Sequence, residues 1–446
     1  MCCTLSPCLI IMAGMNIQLP PTQSYRSSTL PQRFWSPLEL ALSRAEHSRE
    51  CTDYSDNIYL HSGVGRVLQA SDSGREWVQF FNACHDQSVS VSNFFAALKS
   101  DRRLTLLQEI DLDIRQQANE LAGSHRDPFA GHPELDSFEI YASDGHSHGA
   151  SAHEERRGDK KWAVTHVFSL NLRTHAMGQL TLTQPVEGKK KEHEIKAIKR
   201  SGGRDLRLGA PPKTKVIHVY DPAIVDYTAW NRWKQAFGVY IVTREKSNSS
   251  LTVLELLDWD RNDLRNAGVL SDERVKPDNS VAMRRVRYCD PATGEEYSFL
   301  TNAMTLPPGL IVFLYRKRWD VEKVFDEFKN KLGQKQAWAK SNTAKIQQAL
   351  FMVINHNLME MLEHILETEE GITDEKVQRK QAKRQAMVIK KVQAAGRKIN
   401  PMLLKFQKAT QRSLQFIRWL RTELTRNSSW QYAVEKLRPL MLEYLT

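Results

Sequence analysis

The sequence predicts an α/β fold in which a mixed sheet carries a β-rich insertion and is flanked by helical segments on both sides. Three observations carry that reading. Strand-like runs at 138–143, 162–172 and 178–183 follow one another directly. Helix and strand then alternate through 192–200, 215–220, 224–237 and 239–243. A second β-rich stretch, 249–304, breaks the alternation just before a long amphipathic helix.

The elements can be justified in order. Residues 1–30 read as a disordered lead-in, with a short apolar run but no positive n-region, and Met12 or Met15 are alternative starts. Helical periodicity follows at 37–48, 77–84, 92–99 and 103–121, with Ser92 as a candidate N-cap. Glycine and prolines at 125–133 mark a boundary. The insertion contributes strands at 251–257, 281–288 and 297–300, with Asp290-Pro-Ala-Thr-Gly294 as a turn. Beyond it, 343–367 is a strongly apolar helical run and 374–446 reads as basic helices.

A chain of 446 residues exceeds the usual size of one domain. The expected division is a lead-in (1–30), a helical N-terminal region (31–128), a mixed-sheet core (129–366) with its insertion at about 248–305, and a basic helical C-terminal region (367–446). The net charge of +11 and pI near 9.2 favour a polyanionic partner. From Lys376 to Arg426 there are 15 Lys or Arg and one acid, Glu423, enough to account for the whole excess. Nucleic acid is the leading partner and an anionic membrane surface the second. Cysteines at 2, 3, 8, 51, 84 and 289 form neither a disulfide framework nor paired zinc motifs, which points to a reducing cytoplasm. No segment approaches the ~20 apolar residues of a membrane span.

The most informative stretch runs from Tyr315 to Lys329. Read as one helix, Tyr315, Arg318, Glu322 and Lys329 share an arc of roughly 60° on one face. Leu314, Val321, Val324, Phe325, Phe328 and Leu332 occupy an adjoining apolar arc that would seat the helix on a core. Any two of the four polar residues would be explained as a solvated pair. The full spacing is expected by chance in about one per cent of chains this long.

Two aspartates stand upstream at predicted strand ends: Asp144, followed by Gly145, and Asp221, after the strand at 215–220. Strand carboxyl ends are where α/β sheets place sites, although a lone Asp after a strand is an ordinary turn residue. A set of carboxylates is what two-metal phosphodiester cleavage requires, because oxygen ligands leave positions open to water and phosphate.

The spacing Tyr-x2-Arg-x3-Glu-x6-Lys resembles the signature of the DDE transposases of bacterial insertion sequences, specifically the insertion-sequence-4 group. The resemblance covers Asp144 to about Leu332 and implies an RNase H-like core. In that core the first Asp ends the first strand, the second ends the fourth, and the Glu follows an insertion. It implies that Asp144, Asp221 and Glu322 hold two Mg²⁺ or Mn²⁺ ions. Tyr315, Arg318 and Lys329 would grip phosphates beside them. It further implies cut-and-paste movement, often through a hairpin at the element end, with the 3′-OH joined to target DNA. The partners implied are double-stranded DNA, at the terminal inverted repeats and the target, and a second copy of the chain once the ends are synapsed.

Trp319 occupies a place where a base-stacking Trp is frequent in the family, with core packing as its alternative; Trp259 in the insertion is a second stacking candidate. The sequence departs from the family at Pro222-Ala223, where Arg-Gly is frequent, and at Gly145-His146. His146, His148 and His153 suggest a metal cluster but read better as a solvated loop. Asp258 and Asp260 are alternative acids inside the insertion. Arg102, Arg103 and Arg115 suit either a DNA-reading bundle or a structural cap. The basic 376–426 stretch is assigned to DNA or dimer contact, against a solvated helical face. Two other readings remain: a decayed or domesticated DNA-binding protein, and an RNase H-like nuclease without strand transfer.

Overall fold

The computed structural model describes residues 28–49, 54–71, 73–85, 87–122, 127–155, 163–184, 186, 192–277, 280–373, 375–404 and 412–442. Residues 1–27 of the expected lead-in, Cys51, Trp162, and part of the 125–133 boundary lie outside the described residues. So do 405–411 of the basic stretch.

Five helices open the chain: α1 (Leu30–Arg44), α2 (Asp56–Leu68), α3 (Gly74–His85), α4 (Val91–Ala97) and α5 (Asp101–Ala122). Helix α1 starts earlier than its periodicity predicts, because Thr29 and Gln32 form a reciprocal capping box. The N-cap of α4 is Ser90, whose hydroxyl accepts the Asn93 N–H at 3.0 Å, rather than Ser92. Helix α2 is not legible in the sequence, since Gly63 and Gly65 weaken its helical signal. They serve packing instead: a Cβ on Gly63 would come within 2.1 Å of the Phe351 ring. The arginines of this region are engaged internally. Arg102 forks onto Asp56 at 2.7 and 2.8 Å, buried Arg103 donates to the Tyr54 carbonyl at 2.5 Å, and Arg115 pairs with Asp111 at 3.0 Å.

The centre is one nine-stranded sheet. Its elements are β1 (Phe138–His148), β2 (Val164–Asn171), β3 (Met177–Leu182), α6 (Glu194–Ser201), β4 (Lys215–Val219), α7 (Tyr227–Phe237) and β5 (Val239–Arg244). There follow β6 (Leu251–Leu256), β7 (Val269–Pro277), β8 (Met283–Cys289) and β9 (Glu296–Thr301). Spatial order is β3-β2-β1-β4-β5-β9-β8-β7-β6, with β1, β4 and β5 parallel and the other pairs antiparallel. The strands of the expected insertion therefore continue the core sheet, through β9 against β5. Strand β7 escapes the sequence pattern because its polar residues face partners: buried Asp272 pairs with Arg284 at 2.5 Å and Glu273 with Arg285 at 2.6 Å.

After the sheet come α8 (Pro308–Lys317), α9 (Trp319–Asp326), a π-helical segment (Glu327–Lys331) and α10 (Asn342–Glu370). Most of α10 is buried between the N-terminal helices and the sheet. Among its interior amides, Asn357 accepts the Met177 N–H at 2.8 Å and donates to the Met177 carbonyl at 2.9 Å. Then follow α11 (Glu375–Ala394), α12 (Leu414–Thr425) and α13 (Trp430–Leu442).

The basic stretch divides by role. Lys380, Lys383, Lys390, Lys391 and Lys398 are exposed, whereas Arg412 is buried. Arg412 donates to Glu327 at 3.0 Å and to Glu360 at 2.6 Å, forms an ion pair with Glu363 at 3.1 Å, and its backbone N–H donates to Glu327 at 2.8 Å. The expectation of a solvated loop for His146 and His148 fails. Both lie in β1, with rings 5.0 Å apart, and His148 stands 5.2 Å from His166 of β2. Burial lowers His146 to about 4 and His166 to about 3, so these rings are neutral at pH 7. Only His153 is exposed.

Removing Arg412 should leave three carboxylates facing one another without their shared cation. We expect Arg412→Ala to lower unfolding stability by about 3–5 kcal/mol in urea titrations at pH 7. A loss below about 1 kcal/mol would mean that this pairing does not anchor the C-terminal region.

Candidate active site

Asp144 does not end its strand as the sequence suggests. Strand β1 runs on to His148, paired with β2, but its parallel pairing with β4 stops at Ala142 opposite Val219. Extending that register by two residues places Asp144 level with Asp221. The two carboxylates thus stand side by side where β1 and β4 part. Below them, buried His218 bridges the strands. Its Nε2 donates to the Leu206 carbonyl at 2.7 Å, leaving Nδ1 to accept from the Ser143 hydroxyl at 2.8 Å. Asp221 caps its own turn, accepting the Ala223 N–H at 2.8 Å, and among the described residues no cation pairs with it.

The helix expected over 315–329 is built in three pieces. At Arg318 the chain tightens, with i→i−3 bonds from Arg318 to Tyr315 at 3.0 Å and from Val321 to Arg318 at 3.2 Å. Lys317 and Asp320 pair at 2.9 Å across this joint, both buried. At Glu327 the helix widens into the π segment, anchored by Arg412.

Arg318, only 9% exposed, unites the site. One nitrogen bonds Asp144 at 2.9 Å and another bonds Glu322 at 2.7 Å. Tyr315 stands beside it, 5.8 Å from ring centre to guanidinium, and its hydroxyl is shifted upward chiefly by burial. Lys329 is exposed and pairs with no member of this group among the described residues; it lies within charge reach of His146. The structure therefore joins Asp144, Asp221, Glu322, Arg318 and Tyr315, and sets Lys329 further along β1.

Trp319 is 58% exposed, which rules out the core-packing alternative. With Arg244, Tyr297, Phe299, Tyr315 and Arg318 it lines a pocket of about 270 Å³ beside the carboxylates. Trp259 is half-buried under the Arg261 guanidinium, 4.7 Å away, and does not line that pocket. Asp258 and Asp260 are exposed on the loop after β6. One acid near the centre was missed: Glu194, in the first turn of α6, acts on the Asp144 charge together with Asp221. A first-turn acid on a basic helix gives no sequence signal of its own.

Among the described residues no three His, Cys, Asp or Glu side chains are gathered as a closed metal cluster, because Arg318 stands between Asp144 and Glu322. The donor chemistry nevertheless suits a hard divalent cation. Burial, with Asp221 and Glu194 adding to it, raises the Asp144 carboxyl from 3.8 to about 6, against the lowering influence of Gly145 N–H and Arg318. A carboxylate so raised is one whose ionised form a bound cation would favour.

The linkage has a definite sign. Asp144 contributes stability below about pH 4 that is lost as pH rises to about 6, since the folded state then holds a proton the unfolded chain has released. We expect the stability of Asp144→Asn relative to the parent, measured by urea unfolding without divalent metal, to improve between pH 4 and pH 6. A difference constant across that window would contradict the raised value.

The comparisons with known proteins bear on this arrangement. No curated protein matches the chain. A solved Argonaute of Aquifex aeolicus is 13% identical, over 41% of this chain and 24% of that one, at a TM-score of 0.20, a likeness that carries no argument. The transposase DDE domain family matches residues 135–358, half of the chain, including Asp144, Asp221, Arg318 and Glu322. With an α/β mixed sheet of RNase H-like type placing those residues together, the chain belongs to the family of transposase DDE domains.

Proposed function

We propose that the protein is a DNA transposase that cuts the ends of its own insertion sequence and joins the freed 3′-OH to target DNA. The observation that carries this reading is the level placement of Asp144 and Asp221, with Glu322 tied to Asp144 through Arg318. In this reading Asp144, Asp221 and Glu322 hold Mg²⁺ or Mn²⁺, two ions as the family resemblance implies. When bound, such ions supply Lewis acidity toward the scissile phosphate and the attacking water.

The protein's own groups do the rest. Arg318 changes partner, releasing carboxylate oxygens and turning its fork toward a phosphate. Tyr315 donates its hydroxyl to the same backbone, its phenol being shifted upward by burial. Lys329 contacts the strand further along β1. Trp319, exposed at the rim of the 270 Å³ pocket, offers a face for a displaced base; that volume admits one base and suits a hairpin step at the element end. Trp259 is a second stacking surface reached from the insertion strands. The exposed lysines of α11 and Lys398 give a cationic face for duplex DNA. A second copy of the chain completes the synaptic complex.

Two measurements test this. Asp221→Ala or Glu322→Ala should abolish Mg²⁺-dependent cutting of end-bearing DNA while leaving end binding nearly intact. Undiminished cutting by either variant would remove it from the triad, and cutting lost by neither would favour a different nuclease centre. Neutralising Lys383, Lys390, Lys391 and Lys398 should flatten the slope of log binding constant against log salt by about one unit per lost phosphate contact. An unchanged slope would take α11 out of the DNA interface. Terminal inverted repeats bracketing the gene would separate a mobile element from a domesticated DNA-binding descendant.

A further inference from the structure

A second and larger pocket, of about 730 Å³, lies where the N-terminal helices meet the segment that follows the π-helical turn. That volume is in the range of small-molecule sites. Part of its lining is apolar and aromatic: Val91 and Phe95 of α4, with Trp338 and Ala339. The Phe95 ring lies against Gly74, where a Cβ would stand 2.5 Å from it, so the start of α3 closes on the ring. Four cations share the lining, Arg66, Arg75, Lys99 and Lys340, and among the described residues no Asp or Glu does. Buried Arg66 is held 4.0 Å over the Trp338 ring, and Arg75 and Lys99 are exposed. Lys340 makes an exposed pair with Glu155 at 3.4 Å, a contact that contributes little. Four like charges around one cavity repel one another, a cost that a bound anion offsets.

The pocket is continuous with the carboxylates through both of the elements that join at Arg318. Strand β1 continues past Asp144 and His148 to Gly149, which pairs with the 335–337 segment. Its N–H donates to the Lys335 carbonyl at 2.8 Å, and its carbonyl accepts the Ala337 N–H at 2.9 Å. From the other side, the chain runs from Glu322 of α9 through the π segment with Lys329 into Gly333, Gln334 and Trp338 of the pocket. Lys329 lies on that path, within charge reach of His146. Gly149 is five residues beyond Asp144, a span of about 17 Å in extended chain. Stacked DNA covers that span in about five steps of about 3.4 Å along one strand.

A cation-lined cavity with aromatic walls suits a planar ring that carries phosphate, and a base enters such a cavity only when it is unpaired. We propose that this pocket holds a nucleotide of a single DNA strand that leads away from the Asp144 and Glu322 carboxylates, its base among Phe95, Trp338 and Ala339 and its phosphates at Arg75, Lys99 and Lys340. The proposal rests on the DNA reading given above. Gln336, exposed in the lining, supplies an amide for the edge of the base. This hold on the strand is separate from the Trp319 pocket, which shares none of these residues.

The experiment is fluorescence anisotropy of the full chain in chelator, with a labelled short single-stranded oligothymidylate and a labelled blunt duplex as probes and thymidine 5′-monophosphate as competitor. Arg75→Ala/Lys99→Ala removes two of the charges, whereas Ala339→Phe fills the pocket and leaves every charge in place. Lys276→Ala/Lys436→Ala, exposed on β7 and α13, controls for charge loss elsewhere. Both pocket variants should weaken single-strand binding about tenfold, with the control within about twofold of the parent and duplex binding unmoved by Ala339→Phe. Urea midpoints check the fold; should Ala339→Phe lower its midpoint, Val91→Phe fills the same pocket from α4. Single-strand binding at the parental level in either pocket variant overturns the nucleotide assignment and leaves the DNA reading standing. An equal loss of duplex binding in Ala339→Phe overturns the single-strand assignment. A mononucleotide bound as tightly as the oligomer makes the ligand a free nucleotide and overturns the strand as its source. A parent that binds neither oligomer nor duplex overturns the DNA reading itself.

Discussion

The arrangement of the site depends on one buried guanidinium. Arg318 cannot give up its proton, so a position only 9% exposed is tolerable only with anionic partners in place. It finds them on two different elements: Asp144 on the sheet and Glu322 one helical turn onward. That double contact fixes the distance between β1 and α9.

Behind that contact a second buried cation holds the other end of the same helix. Arg412, arriving from beyond the basic stretch, pairs with Glu327 in the π segment and with Glu360 and Glu363 on α10. Helix α10 in turn is seated on the sheet through Asn357 and on the N-terminal helices through the close approach of Gly63 to Phe351. The carboxylates at the rim are therefore supported by a continuous body of packed elements rather than by loops.

Much of this was legible beforehand, for identifiable reasons. Long periodic segments such as 343–367 and 103–121 declare themselves because one face is uniformly apolar. Asp144, Asp221 and Glu322 could be singled out as candidates because turn residues and helical spacing are local properties, although β1 runs on past Asp144 to His148. What escaped were features whose cause is a distant partner. Helix α2 looked weak because its glycines answer to Phe351 and Trp77. Strand β7 looked polar because Asp272 answers to Arg284. His146 and His148 looked like loop residues, yet lie in the extension of β1 beside His166 and Phe325. Trp319 was left open between core and rim, and its exposure decided for the rim.

The sequence by itself determined the class of fold and most of its long periodic elements, and it singled out Asp144, Asp221 and Glu322 as candidates, because those readings follow from hydrophobic period and short-range spacing. Only the tertiary structure decided that Arg318 ties Asp144 to Glu322 and that Lys329 pairs with neither of them among the described residues. It alone placed Glu194 over Gly145, and it alone separated the described lysines of α11 and Lys398, which are exposed, from buried Arg412. The reason is the same in each case: charges and bare backbone acquire meaning from what is brought opposite them, and residues far apart in sequence meet only when the sheet has formed.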